Sequence, residues 1–271
     1  MDQQDEGDAL DLPTSDAADL VLRLRAAGCV FAPDEARLLI QQAASPSELA
    51  AMVDRRVSGL PLEHVLGWVE FCGMRIRVEP GVFVPRRRTE LLVELAAGLC
   101  SDGSVVVDMC CGSGAVGAAV LTRCPTVQVH ASDVDPAAVR CARLNVIEPG
   151  GHVYEGDLFE ALPLSLLGRV DVLVANAPYV PTRSIASMPA EARLHEPLRA
   201  LDGGVDGLGV QRRIAGEAAR WLAPDGRLLI ETSEQQALAT AAVMQEIGLC
   251  TQVMRSGELD ATVVLGGPAR A

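Results

Sequence analysis

Val105-Val106-Val107-Asp108-Met109-Cys110-Cys111-Gly112-Ser113-Gly114, running straight into Ala115-Val116-Gly117-Ala118-Ala119-Val120-Leu121, is the stretch that decides the fold. It reads as an apolar strand, a turn of small residues and an apolar helix. Small residues let a backbone approach a ligand closely, and a helix N-terminus presents free N–H groups. Turns of this kind also serve dinucleotides, so the turn alone defines a nucleotide-shaped pocket and nothing finer.

Outward from this point the chain alternates strand and helix. Strands are read at 105–108, 127–132, 170–175 and 227–232, with a weaker one at 152–154. Helices are read at 90–99, 115–123, 136–146, 208–222 and 234–247. Two terminal strands, near 249–255 and 261–265, end the pattern. Apolar strands linked by crossover helices predict an α/β fold, a Rossmann-like seven-stranded, doubly wound, mostly parallel sheet. That domain is expected over 86–271.

The segments before it differ. Residues 1–14 are polar and acidic and are expected to be disordered. Residues 15–67 read as a small helical domain suited to packing or substrate docking. One helix covers 16–27, and a second opens at Pro33-Asp34-Glu35. A third starts at the capping box Ser45-Pro46-Ser47-Glu48 and stops at Gly59. Residues 68–85 read as a β-hairpin linker, with an alternating strand 71–78, a turn at Glu79-Pro80-Gly81 and a return at Val82-Phe83-Val84.

Composition removes several classes. The chain has 271 residues, 49% of them hydrophobic, so a sizeable core is expected and general disorder is not. No apolar run approaches the roughly 18 residues that span a bilayer. The acidic N-terminus lacks a secretory pattern, which makes a cytoplasmic protein the expectation. The eight cysteines have no regular spacing and read as reduced core residues, and no His/Cys cluster offers a metal site. The net charge of −13 argues against nucleic acid as the main partner. Arg86-Arg87-Arg88 is the strongest basic strip, and reads equally as a docking feature or a solvated helix entry.

Candidate site residues cluster at strand ends. Asp133, at the end of the strand after the glycine turn, is placed to accept both ribose hydroxyls of a nucleoside. Asp135, before Pro136, reads as a helix cap. Asp157 can accept from a purine's exocyclic amine while Leu158 packs on the ring, although a surface-loop aspartate fits equally. Asn176-Ala177-Pro178-Tyr179 follows the apolar run 170–175 and forms an amide-lined slot beside the pocket, or else an ordinary strand-exit turn. The acidic segment Leu201-Asp202-Gly203-Gly204-Val205-Asp206-Gly207 is expected to be flexible, either closing over the slot or capping the helix from Leu208.

Asp108 to Gly114, Asp133, Gly156-Asp157 and Asn176 to Tyr179 resemble class I S-adenosylmethionine-dependent methyltransferases. The closer resemblance is to the HemK/PrmC protein-(glutamine-N5) methyltransferases. It also rests on Pro80-Gly81-Val82-Phe83-Val84-Pro85-Arg86, Thr89-Glu90-Leu91-Leu92-Val93-Glu94 and Glu196-Pro197 through Leu208. The resemblance implies S-adenosylmethionine as cofactor, touching Phe83, Asp108, Cys110, Cys111, Gly112, Ser113, Gly114, Asp133, Asp157, Leu158 and Asn176. It implies a protein substrate with an accessible glutamine, a translation factor or ribosomal protein. In that reading the Asn176 side-chain oxygen and the Ala177 carbonyl accept the two N–H bonds of the glutamine amide. Pro178 fixes the loop, Tyr179 gives a flat wall, and direct displacement needs no general base.

Two positions depart from the family pattern. Ala177 replaces the first proline of Asn-Pro-Pro-Tyr, and Arg88 stands where Pro-Arg-Pro-Glu-Thr-Glu has an acid. They resemble an actinobacterial-type side branch of the family whose substrate is unsettled, which weighs against a release factor as the target. The alternatives are methylation of a small molecule or of an exocyclic amine of a nucleic-acid base, a cofactor-sensing module without activity and, least supported, a nicotinamide dehydrogenase.

Overall fold

The computed structural model describes residues 14–268. The expected disordered tail falls outside that range except for Thr14, which opens a helix. Nine strands follow in chain order among the described residues: β1 Trp68–Phe71, β2 Met74–Arg77, β3 Val105–Met109, β4 Gln128–Asp133, β5 His152–Glu155, β6 Val170–Ala175, β7 Leu222–Glu231, β8 Cys250–Ser256 and β9 Ala261–Gly267.

Four helices, Thr14–Ala26, Ala32–Gln42, Pro46–Val57 and Leu62–Leu66, pack around Leu24, Leu39, Met52 and Val53. The third starts where its capping residues demand. Ser45 Oγ accepts from Glu48 N at 3.2 Å, and Glu48 Oε2 accepts from Ala44 N at 2.8 Å.

The hairpin's turn lies elsewhere than the sequence reading put it. β1 pairs with β2 from Trp68↔Arg77 to Phe71↔Met74, so the turn is Cys72-Gly73. Both turn residues have positive φ, 52° and 75°, the combination that matches strand twist in a two-residue hairpin. The apolar alternation ran on through Gly73 and hid the break. Glu79-Pro80-Gly81 and Val82-Phe83-Val84 instead form an irregular passage, with Val82 and Val84 buried. His64, buried in the helical segment, hydrogen-bonds the Val82 carbonyl at 2.9 Å and fixes this passage.

The main sheet has the order β5-β4-β3-β6-β7-β9-β8, with β9 alone running opposite to the other six strands. Every residue of β3 is buried, as a central parallel strand covered on both faces requires. Alternation then sorts its side chains. Val106 faces a core with Leu92, Ala119 and Ala142, whereas Val105, Val107 and Met109 face one with Ile214, Trp221 and Met244. Each fully buried Val or Leu contributes about 1.5–3 kcal/mol relative to exposure. β7 begins at Leu222, earlier than read, because its pairing with β6 shifts between Val170 and Val172. Gly226 sits at that irregularity, where a Cβ would lie 2.6 Å from the Val170 carbonyl oxygen.

The strand order places the site. After β3 the chain turns to β4 on one side, and after β6 it goes to β7 on the other. The loops leaving β3 and β6 therefore diverge and open a crevice at the carboxyl ends, the position where doubly wound sheets bind ligands. The glycine turn leaves β3 and Asn176 leaves β6. Among the described residues, no helix is long and apolar enough to cross a membrane.

Candidate active site

One cavity is lined by all the cofactor and acceptor-slot residues named from the sequence except Gly114, which lies behind the turn. The turn itself needs left-handed backbone at three positions, Cys110 (φ 58°), Gly112 (φ 54°) and Gly114 (φ 76°). Cys110, a residue with a side chain in that conformation, thus costs roughly 1–2 kcal/mol of backbone strain. Gly114 is required for packing as well, since a Cβ there would lie 2.6 Å from Val146 Cγ2. Burial pushes the Cys110 and Cys111 thiols far above their ordinary pKa, so both are inert pocket walls rather than nucleophiles.

Two carboxylates shape the turn. Asp133 Oδ2 accepts from Gly112 N and Oδ1 from Asp135 N, each at 2.9 Å, which pins the end of β4 to the turn. Asp135 caps the next helix by accepting from Ala137 N at 2.9 Å. Asp108 Oδ2 accepts from Gly117 N at 2.9 Å beneath the turn. Desolvation by burial raises the Asp108 carboxyl to about 7, against the bond from Gly117 that lowers it.

S-adenosylmethionine fits this lining. Asp133 keeps acceptor capacity for ribose hydroxyls, and buried Leu158 with half-exposed Val134 gives apolar walls for a purine. Asp108 is a buried carboxylate, and no ion pair joins it to a cation among the described residues, which suits the ammonium of the methionine portion. Asp157, expected to take the adenine amine, is held by Arg213 at 2.8 Å. It lines the cavity, but its charge is already partnered at a half-exposed site.

Asp133→Ala is expected to weaken S-adenosylmethionine binding by about 1–3 kcal/mol, through the lost ribose acceptor and a loosened turn. Calorimetry checks this, and unchanged affinity would mean that the ribose lies elsewhere. Asp108 makes a pH prediction. Its pKa is raised above the unfolded value of roughly 3.9, so the folded state binds its proton more tightly. Its stabilising contribution is complete below about pH 4 and is lost as pH rises through about 7. Asp108→Asn keeps the acceptor for Gly117 N and removes that titration. Compared with the unsubstituted chain without cofactor, the variant's advantage in unfolding free energy is expected to grow from pH 4 to pH 8. A pH-independent difference would contradict the assignment.

The acceptor side is built on Asn176 and Tyr179. Asn176 Nδ2 donates to Thr89 Oγ1 at 3.2 Å, which leaves Oδ1 as the end available to the cavity. Ala177 is buried, and its small side chain lines the same wall. Burial and the neighbouring Glu231 push the Tyr179 phenol up to about 12, so it remains neutral. The segment expected to be flexible is clamped onto this loop. Gly203 N donates to Val180 O at 2.9 Å, Thr182 N to Gly204 O at 2.9 Å and Gln236 Nε2 to Tyr179 O at 2.9 Å. Asp202 accepts from Thr182 Oγ1 and Gly204 N, so its charge serves the loop's own backbone.

The arginine strip divides instead of acting as one patch. Arg86 donates to buried Glu196 at 2.5 Å and stacks over Phe83 with its guanidinium 5.1 Å from the ring centre. Arg88 lies 3.5 Å from buried Glu231, and Arg87 points out to Glu258 at 3.6 Å. The sequence reading assigned no role to Thr89 or Glu231. The available signal was a lone carboxylate ending the apolar run Leu228-Leu229-Ile230 at the carboxyl edge of the sheet.

Fold and cavity together define a class I S-adenosylmethionine-dependent methyltransferase. Residues 73–204 match the methyltransferase small domain family. A release factor glutamine methyltransferase of Geobacter sulfurreducens is 37% identical over 211 residues, covering 76% of this chain and 73% of that protein. A 4-amino-L-phenylalanine/4-methylamino-L-phenylalanine methyltransferase of Streptomyces pristinaespiralis is 34% identical, covering 87% of this chain and 82% of that one. A solved methyltransferase from Pyrococcus furiosus shares the fold, with a TM-score of 0.53 at 15% identity, over 72% of this chain and 89% of its own. The chain belongs to the HemK/PrmC family, that of the release factor glutamine methyltransferases.

Proposed function

We propose that the protein transfers a methyl group from S-adenosylmethionine to the side-chain amide nitrogen of a glutamine in a protein substrate, a release factor or another translation factor. The observation that carries this is Asn176, whose amide nitrogen is engaged by Thr89 so that its oxygen can accept from the incoming amide. The family membership supports the same chemistry. When bound, the cofactor supplies an electrophilic methyl group on a sulfonium.

What the chain's residues contribute is positioning. An amide nitrogen is a weak nucleophile because its lone pair is delocalised. Asn176 Oδ1 and the Ala177 carbonyl accept its two N–H bonds and turn the nitrogen toward the methyl, so that as the nitrogen–carbon bond forms the methyl would leave its sulfur and one amide proton would pass to solvent. Such fixed orientation can lower a barrier by roughly 7 kcal/mol or more. Tyr179, held neutral, gives a wall and takes no proton in the transfer. The reading places the protein in the cytoplasm with a protein substrate, and the net charge of −13 weighs against nucleic acid as the main partner.

A second reading is N-methylation of a small aromatic amine. The Streptomyces relative favours it by its name, as does Ala177 in place of the first proline, which leaves the slot roomier. Labelled methyl transfer into a lysate lacking this protein, fractionated into protein, nucleic acid and small molecules, separates the readings. Label in one protein band supports glutamine transfer, and label confined to small molecules replaces it.

A further inference from the structure

A buried carboxylate adjoins the acceptor loop, and nothing in the transfer described above uses it. Glu231 ends β7 with its side chain 2% exposed. No well-formed hydrogen bond reaches either of its oxygens. Three groups surround it at looser contact, Arg88 with Nε 3.5 Å from Oε1 and the hydroxyls of Thr89 and Tyr179. Burial raises the Glu231 pKa, and these three neighbours oppose that rise.

Thr89 is 3% exposed and stands between this carboxylate and Asn176. A threonine hydroxyl has one proton and two acceptor lone pairs. With Asn176 Nδ2 donating into one lone pair, the Thr89 proton must turn elsewhere, and Glu231 is the acceptor facing it. This matters because an asparagine amide has two ends of nearly equal shape, told apart only by the partners each finds. With the amide reversed, its N–H groups would point at the N–H groups of the acceptor amide, and the slot would repel its substrate.

We propose that Glu231, paired with Arg88, accepts the hydrogen bond of the Thr89 hydroxyl and thereby fixes the direction of the Asn176 amide, with Oδ1 toward the acceptor nitrogen. Thr89 and Glu231 are positioning residues, because both are argued to act through the Asn176 amide. Arg88, one of the two departures from the family pattern, supplies the counter-charge for a carboxylate that would otherwise be buried alone. The inference rests on the reading of Asn176 as the acceptor of a substrate N–H.

The test compares Thr89→Val, which keeps the shape and removes the hydroxyl, with Thr89→Ser, which keeps the hydroxyl. Glu231→Gln is the second route, since a neutral amide there can donate to Thr89 and release its proton toward Asn176. Transfer is measured on the protein that the unsubstituted enzyme labels, with cofactor affinity by calorimetry alongside. Thr89→Val and Glu231→Gln are expected to lower kcat by about 10- to 100-fold. Acceptor KM and cofactor Kd should stay within about three-fold, and Thr89→Ser within about three-fold of full kcat. The double variant should be no worse than Thr89→Val alone, since both break one relay. Full kcat in either single variant, failure of serine to rescue, or multiplied losses in the double variant would overturn the proposal. If the unsubstituted enzyme labels something other than glutamine, the functional reading fails, while the same variants still test the relay on that acceptor.

Discussion

Asn176→Ala is expected to lower kcat by about a hundred- to a thousand-fold while leaving S-adenosylmethionine affinity within a few fold. The side chain's nitrogen is already bonded to Thr89, so what the substitution removes from the cavity is an acceptor oxygen. Its loss frees the substrate amide to rotate out of line, and losses of one preorganised polar contact or about 1 Å of alignment have effects of this size. Cofactor affinity should survive because Asp133, Leu158 and the glycine turn lie at or beyond the ends of other strands. Single-turnover methyl transfer with parallel calorimetry checks both halves. Full transfer by the variant would remove Asn176 from the chemistry, and equal loss of binding and transfer would move it to the cofactor.

Gly207→Ala is expected to have the next largest effect, although Gly207 touches neither cofactor nor acceptor. Its φ is +80°, and a Cβ would lie 2.3 Å from the Tyr179 carbonyl oxygen and 2.4 Å from Gln236 Nε2. The glutamine could swing aside, but the carbonyl belongs to the acceptor loop's backbone and can yield only by moving that loop. Left-handed strain adds roughly 1–2 kcal/mol. The variant should therefore lose several-fold to about a hundred-fold in kcat/KM and melt earlier, with cofactor Kd little changed. Methyl transfer and thermal unfolding together check it. An alanine variant of normal activity and stability would show that the 201–207 segment does not support the slot.

Both predictions turn on how the sequence was legible. β3, β4, β6 and the glycine turn stood out because central parallel strands must be apolar and the turn must be small. Those two requirements leave a local mark. Asn176 and Asp133 were legible for a related reason, each being a polar residue at the carboxyl end of an apolar strand. The hairpin turn was misplaced because Gly73 falls in phase with the alternation, and only the positive φ of Cys72 and Gly73 reveals the reversal. The 201–207 segment reads as a loose acidic loop, yet Gly203 and Gly207 are there because Pro178 and Tyr179 carbonyls press against them from 25 to 28 residues away in sequence. The Arg86–Glu196 pair and the Arg88–Glu231 pair span 110 and 143 residues, so no local pattern announces them. Arg88 read as one arginine in a strip of three, and only the fold separates it from Arg87.

What defines the activity is the bond made, methyl to an amide nitrogen. The most direct measurement is acid hydrolysis of the protein band that this enzyme labels from methyl-labelled S-adenosylmethionine. A methylated glutamine amide breaks down to glutamate and free methylamine, so the label is expected to leave as methylamine, with peptide mapping placing the methyl on one glutamine. Label retained on lysine or arginine after hydrolysis, or released as methanol from a carboxyl ester, would contradict it.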